Sequence, residues 1–75
     1  MIVDDDALVR LSLVQILRLD NDIAVVGEAS SGNDALAQLL EINPDVVLLD
    51  IRMPDGDGLS TLSEIRQKVK SRVVV

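Results

Sequence analysis

Apolar residues recur along this chain in two alternating rhythms. Short aliphatic runs fall at Met1 to Val3, Val46 to Leu49 and Val73 to Val75, and a β-branched stretch at Ile23 to Ala29. Between them lie longer stretches in which apolar positions return every three or four residues. Runs of the first kind suit strands, and stretches of the second kind suit amphipathic helices. The first run stops abruptly at Asp4, and Asp6 is a good N-cap for a helix predicted over about Ala7 to Leu19. Val9, Leu13, Ile16 and Leu17 fall on one face of that helix. Asp20, Asn21 and Asp22 break it. Ser30 to Asn33 reads as a polar loop, followed by a second helix with Ala35, Leu36, Leu39, Leu40 and Ile42 on its apolar side. Asn43-Pro44 ends that helix, because a residue before proline disfavours the helical backbone. Val46 to Leu49 is aliphatic throughout and ends at Asp50, as a central parallel strand buried on both faces would. Met53 to Gly58 is a loop by its Pro54, Gly56 and Gly58. Leu59, Leu62, Ile65 and Val69 mark a third helix.

About four strands alternating with three helices predict right-handed βαβ units, hence an α/β fold with a parallel sheet. In such sheets ligands bind beyond the carboxyl ends of strands, where the strand order reverses. The chain has 75 residues, which allows one domain at most. There is no Phe, Tyr or Trp, so the core must be built from Leu, Ile, Val and Ala. No apolar run approaches the roughly 20 residues needed to cross a bilayer. No signal peptide is visible, since acidic residues arrive at Asp4. The absence of Cys agrees with a cytoplasmic location without establishing it. The net charge of −6 argues against nucleic-acid binding by these residues, which would need clustered Lys and Arg. No internal repeat, low-complexity tract or linker interrupts the pattern.

The acidic residues that follow strands carry the candidate chemistry. Asp4 and Asp5 follow the first strand and Asp50 the third. If those strands are neighbours, three carboxylates meet at one edge, where they repel unless a cation neutralises them. Oxygen ligands at this density suit Mg²⁺, which takes one or two carboxylates and keeps several waters. A carboxylate can also attack phosphorus to give an aspartyl-phosphate. Taken alone, the Asp4-Asp5-Asp6 triplet reads as a solvated loop with a helix cap. The same strand-to-loop placement in two βα units favours a metal site.

Ile2-Val3-Asp4-Asp5-Asp6 with Ala7-Leu8-Val9-Arg10 resembles the acidic start of a response-regulator receiver domain. Val25-Val26-Gly27-Glu28-Ala29, Ser31-Gly32 and Ala35-Leu36 resemble its second strand and helix. Pro44 to Pro54, then Asp57-Gly58, resemble its phospho-acceptor strand and loop. The similarity runs over essentially the whole chain and is nearest in flavour to nitrate-type (LuxR-like) transcriptional regulators. It implies a flavodoxin-like, three-layer parallel fold of strand order 2-1-3-4-5, an order taken from the resemblance and not from this sequence. It implies that Asp50 is the phospho-acceptor, that Asp5 binds Mg²⁺ directly, and that Asp4 often acts through water. The backbone carbonyl of Arg52 would be a further ligand. Asp6 would cap the first helix, Met53-Pro54 would bend the chain, Asp55-Gly56 would form a turn, and Asp57 and Gly58 would cap the third helix. The Arg52 side chain is read as an exposed charge without a partner, against the alternative that it leans over the site.

The resemblance further implies a switch charged by a histidine kinase, not an enzyme with an external substrate. Residues 1–75 would be the N-terminal part of a receiver. The family's switch hydroxyl and Lys would lie beyond Val75, and an output domain, DNA-binding in the nitrate-type regulators, would be absent. A homodimer is left open; no membrane partner is implied. Two other readings compete. One is a Mg²⁺-dependent phosphohydrolase with Asp4 as nucleophile and Asp6 as acid/base, which leaves Asp50 to Pro54 without a role. The other is a pairing fragment without chemistry.

Overall fold

The computed structural model describes residues 1–52 and 57–75, with the side chain of Asp57 left out. Seven elements follow one another: β1 (Ile2–Val3), α1 (Ala7–Leu17), β2 (Glu28–Ala29), α2 (Gly32–Ile42), β3 (Val46–Leu49), α3 (Asp57–Lys68) and β4 (Arg72–Val74). The strands form one parallel sheet of order β2-β1-β3-β4. This is the predicted α/β class and the first part of the expected order.

The order dictates the layers. From β1 the chain steps one way to β2, then back across β1 to β3 and on to β4. Right-handed crossovers in opposite directions put their helices on opposite faces. α1 therefore covers one face, and α2 and α3 the other. Strand alternation agrees: Met1, Val3, Val47 and Leu49 join Ala29, Ala35, Leu39 and Ile65 in one buried cluster. Ile2, Leu48 and Val74 instead line a cleft with Leu13 of α1. The aliphatic β3 is central, as its composition predicted.

The helix ends follow their sequence signals. The Asp6 side chain accepts hydrogen bonds from the Leu8 and Val9 amides and caps α1. Ser31 caps α2 by accepting from Asp34. α2 closes at Asn43, whose N–H donates to the Leu39 carbonyl and whose left-handed backbone (φ 52°) turns the following chain out of the helix.

Several boundaries and faces differ from the sequence reading. β2 is confined to Glu28–Ala29, whereas a strand was predicted from Ile23. Its ladder with β1 pairs Ile2 with Glu28 and Val3 with Ala29. Helix α1 ends at Leu17 with Arg18 as C-cap, short of Leu19. Its sheet-facing stripe is Arg10, Leu13, Val14 and Leu17, while Val9 and Ile16 are exposed. The helix is apolar nearly all round, so periodicity could not single out the buried side. Leu40 of α2 and Leu59 of α3 are likewise exposed, and Gly58, read as a loop and cap residue, lies instead inside α3, where it and Thr61 are buried. The bend at Met53-Pro54, the turn at Asp55-Gly56 and a cap from the Asp57 side chain lie outside the described residues.

A candidate metal and phospho-acceptor site

The site follows from register. Val3 pairs with Leu49 across β1 and β3, so the residues that follow them, Asp4 and Asp50, leave the sheet side by side. The ladder is held to its end: the Asp50 amide donates to the Val3 carbonyl at 2.9 Å and the Asp4 amide to the Ala29 carbonyl at 3.0 Å. Asp4, Asp5 and Asp50 each bring a carboxylate oxygen to this rim, all within 4.8 Å of one another. Asp4 is buried, Asp50 half-buried and Asp5 exposed. The cluster is thus anchored on its inner side and open to solvent on its outer side.

Local backbone turns aim two of the three carboxylates. The Asp6 amide donates to Asp4 Oδ1 at 2.9 Å, and the Arg52 amide donates to Asp50 Oδ1 at 2.9 Å. Each is an Asx turn, in which an Asp side chain captures the amide two residues on. One oxygen of each is fixed, and the carboxylate plane with it. Arg52 also approaches Asp50 Oδ1 through Nε at 3.6 Å while its side chain stays 90% exposed. It therefore has a charge partner that the sequence reading did not give it, though such an exposed pair holds weakly.

The donor set fits a small hard cation. Two ligands trans across Mg²⁺ lie about 4.2 Å apart, given bonds near 2.1 Å. Oxygens within 4.8 Å can meet around such an ion directly, or with one of them acting through water. A cleft of about 480 Å³ adjoins the rim, lined by Asp4, Asp50 and Arg52 together with Leu13, Leu48 and Val74. Asp6 is turned to its capping task and is not in the cluster. The sequence reading missed two contacts here. Arg10 Nη1 donates to the Asp4 carbonyl at 2.6 Å, and Gln38 Nε2 donates to the Glu28 carbonyl at 2.9 Å. The available signal for Arg10 was its place one turn ahead of Leu13, Val14 and Leu17, where a charged residue sits in line with a buried stripe.

The family described as the response regulator receiver domain matches residues 1–75. The chain belongs to this family. The receiver is 47% identical over its full length to a protein-glutamate methylesterase/protein-glutamine glutaminase of Trichodesmium erythraeum, covering 21% of that protein. It is 38% identical to the nitrate/nitrite response regulator protein NarL of Escherichia coli, again over its full length, covering 35% of it. Among solved structures it resembles the response regulator domain of Thermotoga maritima CheB, with TM-score 0.89 and 39% identity over 96% of this chain and 54% of that one. It also resembles a structure of the P1 domain of CheA3 in complex with CheY6 from R. sphaeroides, with TM-score 0.85 and 36% identity over 97% of this chain and 57% of that one. The chain thus spans about a fifth to a third of these curated relatives and about half of these solved chains.

These findings establish the receiver domain of two-component response regulators, a class phosphorylated on Asp, with the flavodoxin-like fold. They correct one expectation. The resemblance to transcriptional regulators implied a protein that is not an enzyme, yet relatives named as methylesterase/glutaminases match the receiver over its full length. The receiver segment is thus shared between proteins named as methylesterase/glutaminases and one named as a nitrate/nitrite response regulator. Among the described residues no helix is long and apolar enough to cross a membrane.

Proposed function

We propose that this receiver takes a phosphoryl group onto Asp50 beside a Mg²⁺ ion held by Asp5 directly, by Asp4 through water, by Asp50 itself and by the Arg52 backbone carbonyl. The observation that supports it is the convergence of Asp4, Asp5 and Asp50 within 4.8 Å at the carboxyl ends of adjacent strands. An Asp50 oxygen attacks phosphorus, the bond from phosphorus to the donor's imidazole nitrogen breaks, and the imidazole leaves with that electron pair. The product is an acyl phosphate. The cation supplies charge neutralisation, without which three carboxylates would repel the incoming phosphoryl oxygens. The Arg52 amide holds the other contribution in this chain: it keeps Asp50 Oδ1 fixed during the attack.

The donor is a histidine phosphotransfer domain of a histidine kinase, a partner supported by the likeness to a receiver solved with a P1 domain. In this reading residues 1–75 are the N-terminal part of a receiver in a longer cytoplasmic protein. The new phosphate shifts the population between two conformations, and an output domain reads that shift.

Incubation with Mg²⁺ and a small acyl-phosphate donor, followed by peptide mass mapping, tests the assignment. One phosphoryl group on the Asp50 peptide, lost in Asp50→Asn, is the expected result. Label on Asp4 would instead favour the phosphohydrolase reading and overturn this one.

A further inference from the structure

Arg10 projects from the first turn of α1 back over the end of β1, as helical side chains lean toward the helix N-terminus. Its side chain is only 19% exposed. Nη1 donates to the Asp4 carbonyl at 2.6 Å, and Nε lies 3.7 Å from Glu28 Oε1 on β2. The Asp4 carbonyl is the first after β1, whose last carbonyl, that of Val3, accepts from the Asp50 amide. A half-buried carbonyl in that place needs a donor from elsewhere. The peptide it belongs to is the one joining Asp4 to Asp5, and the ψ of Asp4 and the φ of Asp5 on either side of it set how the two Cα–Cβ bonds are aimed relative to each other.

We propose that Arg10 is a positioning residue for the cation site, locking the Asp4–Asp5 peptide in the orientation that brings both carboxylates to Asp50. The inference rests on the Mg²⁺ reading given above. The peptide is gripped at two points, its carbonyl by Arg10 and the preceding carboxylate by the Asp6 amide at 2.9 Å. The guanidinium is itself held by Glu28, whose backbone carbonyl is tied to Gln38 of α2 at 2.9 Å. Elements on both faces of the sheet therefore brace one peptide. The planar fork of Arg reaches two acceptors at once, which the single ammonium of Lys does not.

Charge and positioning make opposite predictions. A fixed cation beside three carboxylates opposes Mg²⁺ binding, so electrostatics alone has Arg10→Met bind Mg²⁺ more tightly. Positioning has it bind more weakly, by about tenfold, the low end of what loss of an outer-shell partner costs a metal site. Calorimetric titration of MgCl₂ into the whole chain, with metal-free melts alongside, decides between them. Wild type, Arg10→Met, Arg10→Lys and Asp5→Asn are compared. Weaker binding by folded Arg10→Met, with Arg10→Lys in between, is the expected result. Equal or tighter binding overturns the proposal. Should Arg10→Met fail to fold, Arg10→Lys decides alone, and an affinity equal to wild type overturns the proposal. If wild type binds no Mg²⁺, or Asp5→Asn binds as well as wild type, it is the cation site that fails, and the role of Arg10 falls with it.

Discussion

Asp5 and Asp50 come from loops at the ends of neighbouring strands, yet their carboxylate oxygens lie within 4.8 Å of each other. Two like charges at that spacing cost about 1 kcal/mol in well-hydrated surroundings and more where water is excluded. Without a bound cation the receiver therefore carries a repulsion at this rim.

Asp50→Asn should change sign with Mg²⁺. Without the ion it removes two repulsions, and the Asn oxygen can still accept from the Arg52 amide, so stability rises by about 1 kcal/mol. With Mg²⁺ at ten times its dissociation constant, wild type gains about 1.4 kcal/mol by mass action, and the variant gains less. Thermal melts across a Mg²⁺ titration should show the two curves crossing. Parallel curves would mean that Asp50 is not part of a cation site.

Gly58 marks a close approach. A methyl group built on it would lie 2.2 Å from Ile51 Cα, in backbone that cannot give way as a side chain would. Gly58→Ala must push the start of α3 away from the residue following Asp50. A loss of about 1–3 kcal/mol is expected, measured by urea unfolding. Because Ile51 is next to Asp50, Mg²⁺ affinity should fall as well.

Adjacent leucines on α2 should behave oppositely. Leu39 is fully buried in the core cluster, and Leu40 is 64% exposed. Leu39→Ala should cost about 2–5 kcal/mol, whereas Leu40→Ala should stay within about 0.5 kcal/mol. Equal losses in urea melts would show that the phase of α2 is wrong.

Asn43 closes α2 in the left-handed region at φ 52°. Gly accepts that backbone at no steric cost, and a β-branched residue does not. Asn43→Gly should leave stability nearly unchanged, and Asn43→Val should lose about 1–2 kcal/mol. The pair is readily compared by chemical denaturation.

The local chemistry of this protein was legible in its sequence. Asp6 before an apolar stretch means a capped helix because its carboxylate satisfies amides that the helix leaves open. The run Val46 to Leu49 means a central strand because nothing in it tolerates water. Asp4 and Asp50 after apolar runs mark strand ends, because a carboxylate does not continue a buried strand. Only the tertiary structure decided which faces and which neighbours. Helix α1 has apolar residues on every side, so its buried stripe was chosen by the sheet and by the Asp4 carbonyl that draws Arg10 inward. The extent of β2 was set by its ladder with β1, which pairs Glu28 with Ile2 and Ala29 with Val3. The meeting of Asp4, Asp5 and Asp50 depended on the pairing of Val3 with Leu49. Spacing along a chain reports one residue's own preference, while a shared site is a property of register, and register exists only once two strands have bonded.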